Sequence, residues 1–183
     1  IDLLISQTKR CGEIVKQISK KQIKEDKFFS KTNLEDLLDE IIETFKETSS
    51  KKIILNTDKD ENKVLLMRTP ELTYGLRNFI GNAIKFSKSI VEIIIKSDEI
   101  FVRVEINDDG PGFPEDVQEI LGEPYIKSKS KKVIDNTGTG LGTFLGKTLL
   151  ERQLAKLSFS KDKKLGGASV IILWQGKDLK TIS

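Results

Sequence analysis

A chain of 183 residues with 31 Lys and Arg against 28 Asp and Glu has the size of one ordinary domain plus a short appendage, enough to bury an apolar core without staples. Its 32% charged and 37% hydrophobic content excludes the disordered class, and a net charge of +3, interspersed along the chain, excludes an electrostatic case for nucleic-acid or membrane partners. The absence of histidine excludes His-based catalysis or metal ligation from within, and the lone Cys11 excludes an internal disulfide framework and suits a reducing, cytoplasmic setting.

The chain starts at Ile1 rather than Met, which reads as an excised fragment. No apolar stretch approaches the roughly 20 residues of a membrane helix and no signal peptide opens the chain, so a soluble piece is expected. From Ile1 to about Lys20, the residues Ile1, Leu4, Cys11, Val15 and Ile18 recur at steps of three and four, with Thr8 in the one gap, which is a heptad seam. So short a seam needs a partner, and it reads as one arm of a helical hairpin or dimer bundle whose other arm lies upstream. The polar run Lys20 to Lys27 is a connector or an extension of that helix.

Thr32 or Asn33 can cap a second helix whose buried face is Leu34, Leu37, Leu38, Ile41, Ile42 and Phe45, ending near Ser49-Ser50. Short strands are expected at Ile53 to Leu55 and Val64 to Leu66, around a polar turn at 58–62. Pro70 suits the first turn of a helix running to about Phe86. Strands at Val91 to Lys96 and Ile100 to Ile106 pair across Ser97-Asp98-Glu99, and a glycine loop follows directly. A Lys- and Ser-rich span (Lys127 to Lys132) leads to a second glycine loop and a helix from about Leu141 to Leu154. Strands near Leu157 to Ser160 and Ser169 to Leu173, joined through Gly166-Gly167, close the chain. Helices interleaved with mostly antiparallel strands predict an α+β two-layer sandwich, one sheet with its helices on one face.

Three elements carry chemistry. Asn78, Asn82 and Lys85 project from one stripe of the Pro70 helix, a face suited to phosphate and metal, since an amide oxygen is an acceptable ligand for magnesium that keeps most of its waters. Gly81, within that helix, costs about 1 kcal/mol against alanine and calls for close packing or a local accommodation. Asp108-Asp109-Gly110-Pro111-Gly112 places a carboxylate where the backbone turns sharply, with Asp109 facing solvent or capping the turn. Gly138-Thr139-Gly140-Leu141-Gly142 opens a helix whose free N–H groups and dipole favour phosphate. Two decoys fail: Gly146-Lys147-Thr148 lacks the glycine five residues earlier that a P-loop needs, because Leu141 stands there, and G-x-G-x-G after a polar span is not the dinucleotide fingerprint.

In order and context, over roughly residues 70 to 175, these elements resemble the N box and two glycine boxes of the GHKL ATPase superfamily of histidine kinases, gyrase, Hsp90 and MutL. The resemblance implies a Bergerat ATP-binding fold and a site for ATP and Mg²⁺. Asn82 would hold Mg²⁺ and Lys85 would face phosphate. Asp108 would accept from the adenine amino group. Asn78, Phe86, Gly110, Gly112, Lys127, Gly138, Thr139, Gly140, Leu141 and Gly142 would complete the nucleotide contacts, with Lys127 on a mobile lid. The hydrolytic relatives resemble one another in a glutamate at the first N-box position, where this chain has Asn78; without that base the site suits holding ATP until another nucleophile arrives.

Together with the heptad seam, that substitution implies a sensor histidine kinase: residues 1–30 as the second helix of a dimerising hairpin and linker, residues 31–183 as the ATP-binding domain. Its γ-phosphoryl would pass to an upstream histidine and then to a response-regulator receiver domain. The intact protein would be a homodimer anchored in the inner membrane through upstream segments, with this piece in the cytoplasm and no nucleic-acid partner. A narrower resemblance, to the RegB/PrrB/ActS group of redox-responsive kinases, rests on Gln7 to Cys11, Leu121 to Tyr125, with Glu123-Pro124-Tyr125 in place of the usual lid phenylalanine motif, and Lys147 to Arg152. It makes Cys11 a redox-switch candidate, where the spacing alone reads as a small buried core residue. Two rival readings remain, a non-catalytic redox-sensing module and a serine kinase of the anti-sigma type.

Overall fold

In the computed structural model the described residues are 30–57, 64–113 and 141–176. The expected seam of residues 1 to 20, the connector after it and the turn at 58–62 lie outside them. The order is β1 (Lys31–Asn33), α1 (Leu34–Lys46), β2 (Lys52–Thr57), β3 (Leu65–Met67), α2 (Pro70–Phe86), β4 (Ile90–Ser97), β5 (Phe101–Asp108), α3 (Leu141–Arg152), β6 (Lys156–Lys161) and β7 (Ala168–Gln175).

Of the two cap candidates, Asn33 begins α1: its side chain accepts the Glu35 N–H at 3.3 Å, and Glu35 and Asp36 suit the positive end of the helix dipole. The helix stops at Lys46, short of Ser49-Ser50, because the Thr48 N–H turns back to the Phe45 carbonyl at 3.0 Å. Thr69 caps α2 by accepting the Leu72 N–H at 3.1 Å, and Pro70 follows where its missing N–H costs nothing. α3 ends at Arg152, two residues earlier than expected, as Gln153 and Leu154 turn the chain into β6 and Leu154 takes a left-handed φ of 62°.

The five-stranded sheet has the order β2-β4-β5-β7-β6, antiparallel except for the parallel β2–β4 pair at one edge. A parallel pair needs a crossover, and α2 lies within it. The β4–β5 hairpin falls where expected, its turn held by the Asp98 carboxylate, which accepts the N–H groups of Ile100 and Phe101 at 2.7 and 2.8 Å. β3 is displaced by one residue from Val64 to Leu66 because the Val64 carbonyl accepts the Leu34 N–H instead. It pairs with β1 in a separate two-stranded ribbon, a strand that sequence does not predict, since Lys-Thr-Asn has no apolar alternation.

The core is a two-layer contact. Leu34, Leu37, Leu38, Ile41 and Ile42 of α1 are buried, as are Leu72, Leu76, Phe79, Ile80, Ala83 and Ile84 of α2. The sheet contributes Val91, Ile93, Ile95, Val102, Val104, Ile106, Val170, Ile172 and Trp174 from alternate positions of its central strands. Each of the larger of these side chains contributes about 2 kcal/mol by leaving water, which fixes the face that α2 turns inward and hence the face left for chemistry.

Candidate functional site

The polar stripe of α2 is organised by α3. A Cβ on Gly75 would stand 2.6 Å from the Leu150 side chain, and one on Gly146 would stand 3.0 and 3.1 Å from Phe79 and Asn78, so the two helices meet through glycine. Gly146 of the rejected P-loop decoy is therefore a mid-helix packing residue. At the start of α3 the Thr143 hydroxyl accepts the Asn82 amide N–H at 3.3 Å, while the Asn78 amide donates to the Tyr74 carbonyl at 2.8 Å. Each asparagine thus uses one amide N–H within the protein. Their oxygens, Asn78 Oδ1 and Asn82 Oδ1, lie 3.6 and 3.8 Å from where a Cβ on Gly142 would be. Two amide oxygens beside a bare backbone form a site that a hard cation with oxygen ligands can use. A groove of about 490 Å³ runs along this stripe, with Tyr74, Arg77, Asn78, Asn82 and Leu145 in its walls.

Asp108 ends β5 beside the other end of α2. The residue is 4% exposed, and Oδ1 accepts the N–H groups of Gly110 at 2.8 Å and Ala168 at 3.1 Å. Among the described residues both donors go to Oδ1, leaving Oδ2 as an acceptor for something else. Burial raises this carboxyl above the ordinary value; the Gly110 and Ala168 N–H groups oppose the shift, and the charges of Asp109 and Asp162 add to it. Glycines allow the close approach: a Cβ on Gly110 would overlap the Phe86 carbonyl, and one on Gly167 would overlap both the Asp108 backbone and its carboxylate. Gly112 faces Gly167 with a left-handed φ of 80°.

Asp109 has the opposite surroundings. Its carboxylate accepts the N–H groups of Lys88, Ser89 and Ile90 at 2.8 to 3.2 Å and the Ser89 hydroxyl at 2.6 Å. Desolvation acts against its charge, but the Ser89 hydroxyl and the Ser89, Ile90 and Lys88 N–H groups outweigh it and hold the carboxyl well below the usual range. Of its two expected roles, the turn is the one it takes, tying the α2–β4 connection to the end of β5.

Asn78, Asn82 and Gly142 are therefore brought together at one part of α2, and Phe86, Asp108, Gly110 and Gly112 at the other. Lys85 stands between them in sequence on the last turn, exposed, its ammonium 5.1 Å from the centre of the Phe86 ring. Leu141 opens α3. Lys127, Gly138, Thr139, Gly140 and Cys11 lie outside the described residues. Gly167 and Thr143 were not foreseen; Gly166-Gly167 reads only as a turn in sequence, although a doublet where one glycine would supply the left-handed residue is a signal that the second answers to close packing. Gly81 is explained by Phe45 of α1, whose ring would lie 3.2 Å from an added Cβ.

The model of the histidine kinase-, DNA gyrase B- and HSP90-like ATPases matches residues 68–177. Over 106 residues the chain is 37% identical to the sensor histidine kinase RegB of Cereibacter sphaeroides, a match covering 55% of this chain and 23% of that protein. Over 138 residues it is 32% identical to the sensor protein BceS of Halalkalibacterium halodurans, covering 74% of this chain and 40% of that one. The chain thus spans less than half the length of these relatives. Among solved structures, the mycobacterial sensor histidine kinase MprB superposes with a TM-score of 0.65 at 17% identity, over 80% of this chain and 97% of that one, a likeness of fold.

Proposed function

Because the chain belongs to the histidine kinase-, DNA gyrase B- and HSP90-like ATPase family, we propose that it binds Mg²⁺·ATP along α2 and, in the intact protein, delivers the γ-phosphoryl group to a histidine outside this stretch. The observation that carries the reading is that one helix has two amide oxygens gathered beside Gly142 and, at its far end, a buried carboxylate with one oxygen left to accept.

In this reading Asp108 Oδ2 accepts from the adenine amino group while Gly110 and Ala168 hold Oδ1, so the base is read by a carboxylate that cannot rotate away. The asparagine oxygens fit a magnesium that retains most of its waters, with Asn82 as the protein ligand. Bound there, magnesium would supply charge neutralisation for the triphosphate. Lys85 faces phosphate. Lys127 and the backbone from Gly138 through Thr139, Gly140 and Leu141 to Gly142 complete the phosphate side, with the N-terminus of α3 supplying free N–H groups. Asn78 offers no general base where the hydrolytic relatives have glutamate, which leaves ATP intact until a histidine nitrogen attacks the γ-phosphorus and ADP departs. Catalysis is then positioning and charge neutralisation. Transfer onward to a receiver-domain aspartate, dimerisation through the hairpin to which residues 1–30 would belong, anchoring in the inner membrane by segments beyond this stretch, and a redox role for Cys11 form the rest of the proposal. Among the described residues no helix is long and apolar enough to cross a membrane.

The test is trans-phosphorylation of a separately supplied histidine-bearing dimerisation domain with labelled ATP. The expected product is acid-labile phosphate that Asn82→Ala abolishes while adenosine recognition persists in part. Acid-stable phosphate on the product would convert the reading to a serine kinase, and ATP binding without transfer would convert it to a non-catalytic module.

A further inference from the structure

A helix ends with carbonyls that no helical N–H reaches and with the negative end of its dipole. At the end of α2 the Ala83 carbonyl takes the Ser87 N–H at 2.8 Å and the Ile84 carbonyl takes the Ser87 hydroxyl at 3.1 Å, and three carbonyls of this turn also converge on a single cation from elsewhere in the chain. Lys51 Nζ donates to the carbonyl of Ile84 at 2.6 Å, to that of Ser87, and more weakly to that of Lys85 at 3.4 Å. The backbone holds that lysine in place, because the next N–H, of Lys52, donates to the Ser89 carbonyl at 2.9 Å as β2 begins. Ser89 also belongs to the connection that Asp109 ties down. One turn of chain is thus gripped from two sides, a cation on its carbonyls and a carboxylate on its N–H groups.

Lys85 rides on this turn. Among the described residues its ammonium makes no salt bridge, and its neighbour is the Phe86 ring. A lysine in the last turn of a helix can bond the last carbonyls. Here a different lysine already occupies three of the carbonyls, and Lys85 stays exposed over the Phe86 ring, on the stripe it shares with Asn78 and Asn82.

We propose that Lys51 is a positioning residue of the nucleotide site: by occupying the carbonyls that end α2, it keeps the Lys85 ammonium available to the phosphates. The inference rests on the Mg²⁺·ATP reading above and adds a residue that touches no part of the nucleotide. Removing the Lys51 charge takes the cation away from those carbonyls, leaving Ile84 with the Ser87 hydroxyl alone, and lets Lys85 fold back onto them, so the affinity gained from phosphate falls while that gained from the base does not.

The experiment is calorimetric titration of the full chain with Mg²⁺·ATP and, separately, adenosine, in wild type, Lys51→Met, Lys51→Arg, Lys85→Met and the Lys51→Met/Lys85→Met double variant. Lys51→Met is expected to weaken ATP about five- to tenfold, the size of a charge at a helix end, with adenosine affinity unchanged. Lys51→Arg, which keeps several donors, restores ATP affinity. In the Lys85→Met background the Lys51→Met change has no further effect, because the two act through one interaction. Equal losses of ATP and adenosine, or a Lys51 effect that persists without Lys85, would reduce Lys51 to a stabilising residue and overturn the proposal. Wild-type chain that binds adenosine and ATP equally would overturn the phosphate reading itself, a result separable from the first because it needs no variant.

Discussion

Asp108 and Asp109 are adjacent in sequence and opposite in circumstance. Asp108 is buried, takes two N–H groups on one oxygen and is pushed toward its neutral form; Asp109 is near the surface, takes three N–H groups and a hydroxyl, and is held ionised. One keeps an acceptor in reserve and the other spends all it has on the chain. The difference teaches that an acidic doublet at the end of a strand divides its work: the side chain on the inner side of the turn can read a ligand because its outer neighbour has already fixed the turn.

The largest effect expected from breaking this division is at Asp108. Asparagine there keeps an oxygen for Gly110 and Ala168 but replaces Oδ2 with N–H donors, which in the proposed complex would face the adenine amino group. ATP affinity measured by calorimetry should fall about a hundredfold, the value of a lost hydrogen bond to a charged group. The folded chain should not lose stability at neutral pH. A carboxyl raised by burial is a cost that is fully present above its folded pKa and relieved as pH falls through it, and the variant removes that cost. Unchanged affinity would mean that Asp108 is not the base reader.

Next in size is Gly167→Ala, which drives a methyl group into Asp108 and the Gly110 N–H. A loss of about 2 kcal/mol in urea unfolding is expected from overpacking against backbone, together with weaker nucleotide binding. Asp109→Asn should cost less and show the reverse pH behaviour to Asp108→Asn. A depressed carboxyl contributes stability that is present above the unfolded value near 3.9 and lost as pH falls through the folded one. The gap between wild type and variant in denaturation midpoint should therefore be constant from neutral pH to about pH 5 and close in acid. A gap that widens in acid would contradict the assignment. The smallest effect is at Gly81, where alanine gains up to about 1 kcal/mol of helix propensity if the half-exposed Phe45 ring yields the few tenths of an ångström required. A thermal scan showing a lower midpoint would mean that Arg77, stacked 4.8 Å from that ring, holds Phe45 in place.

Much of this was legible beforehand where the signal is local. The bounds of α2 follow from Pro70 and from an apolar period that ends at Phe86, and the β4–β5 hairpin follows from two apolar runs around a short polar turn. β1 was illegible because its three residues are polar and pair only with a strand over thirty residues away. Asp109 was half legible: a turn-capping role was open, but which N–H groups it takes depends on α2 and β4 arriving beside it. Lys51 looked like any lysine in a charged loop, for nothing near it in sequence says that a helix will end within reach.

Taken alone, the amino-acid order determined the helices, the central strands and the presence of an amide stripe, an aspartate and glycine bends, since each is set by side chains a few residues apart. Tertiary structure decided which oxygen of Asp108 stays available, why Gly75, Gly146 and Gly167 must lack side chains, and which lysine ends α2. Those outcomes depend on contacts between segments far apart in the chain, where close packing tolerates no added methyl group and most buried donors find an acceptor.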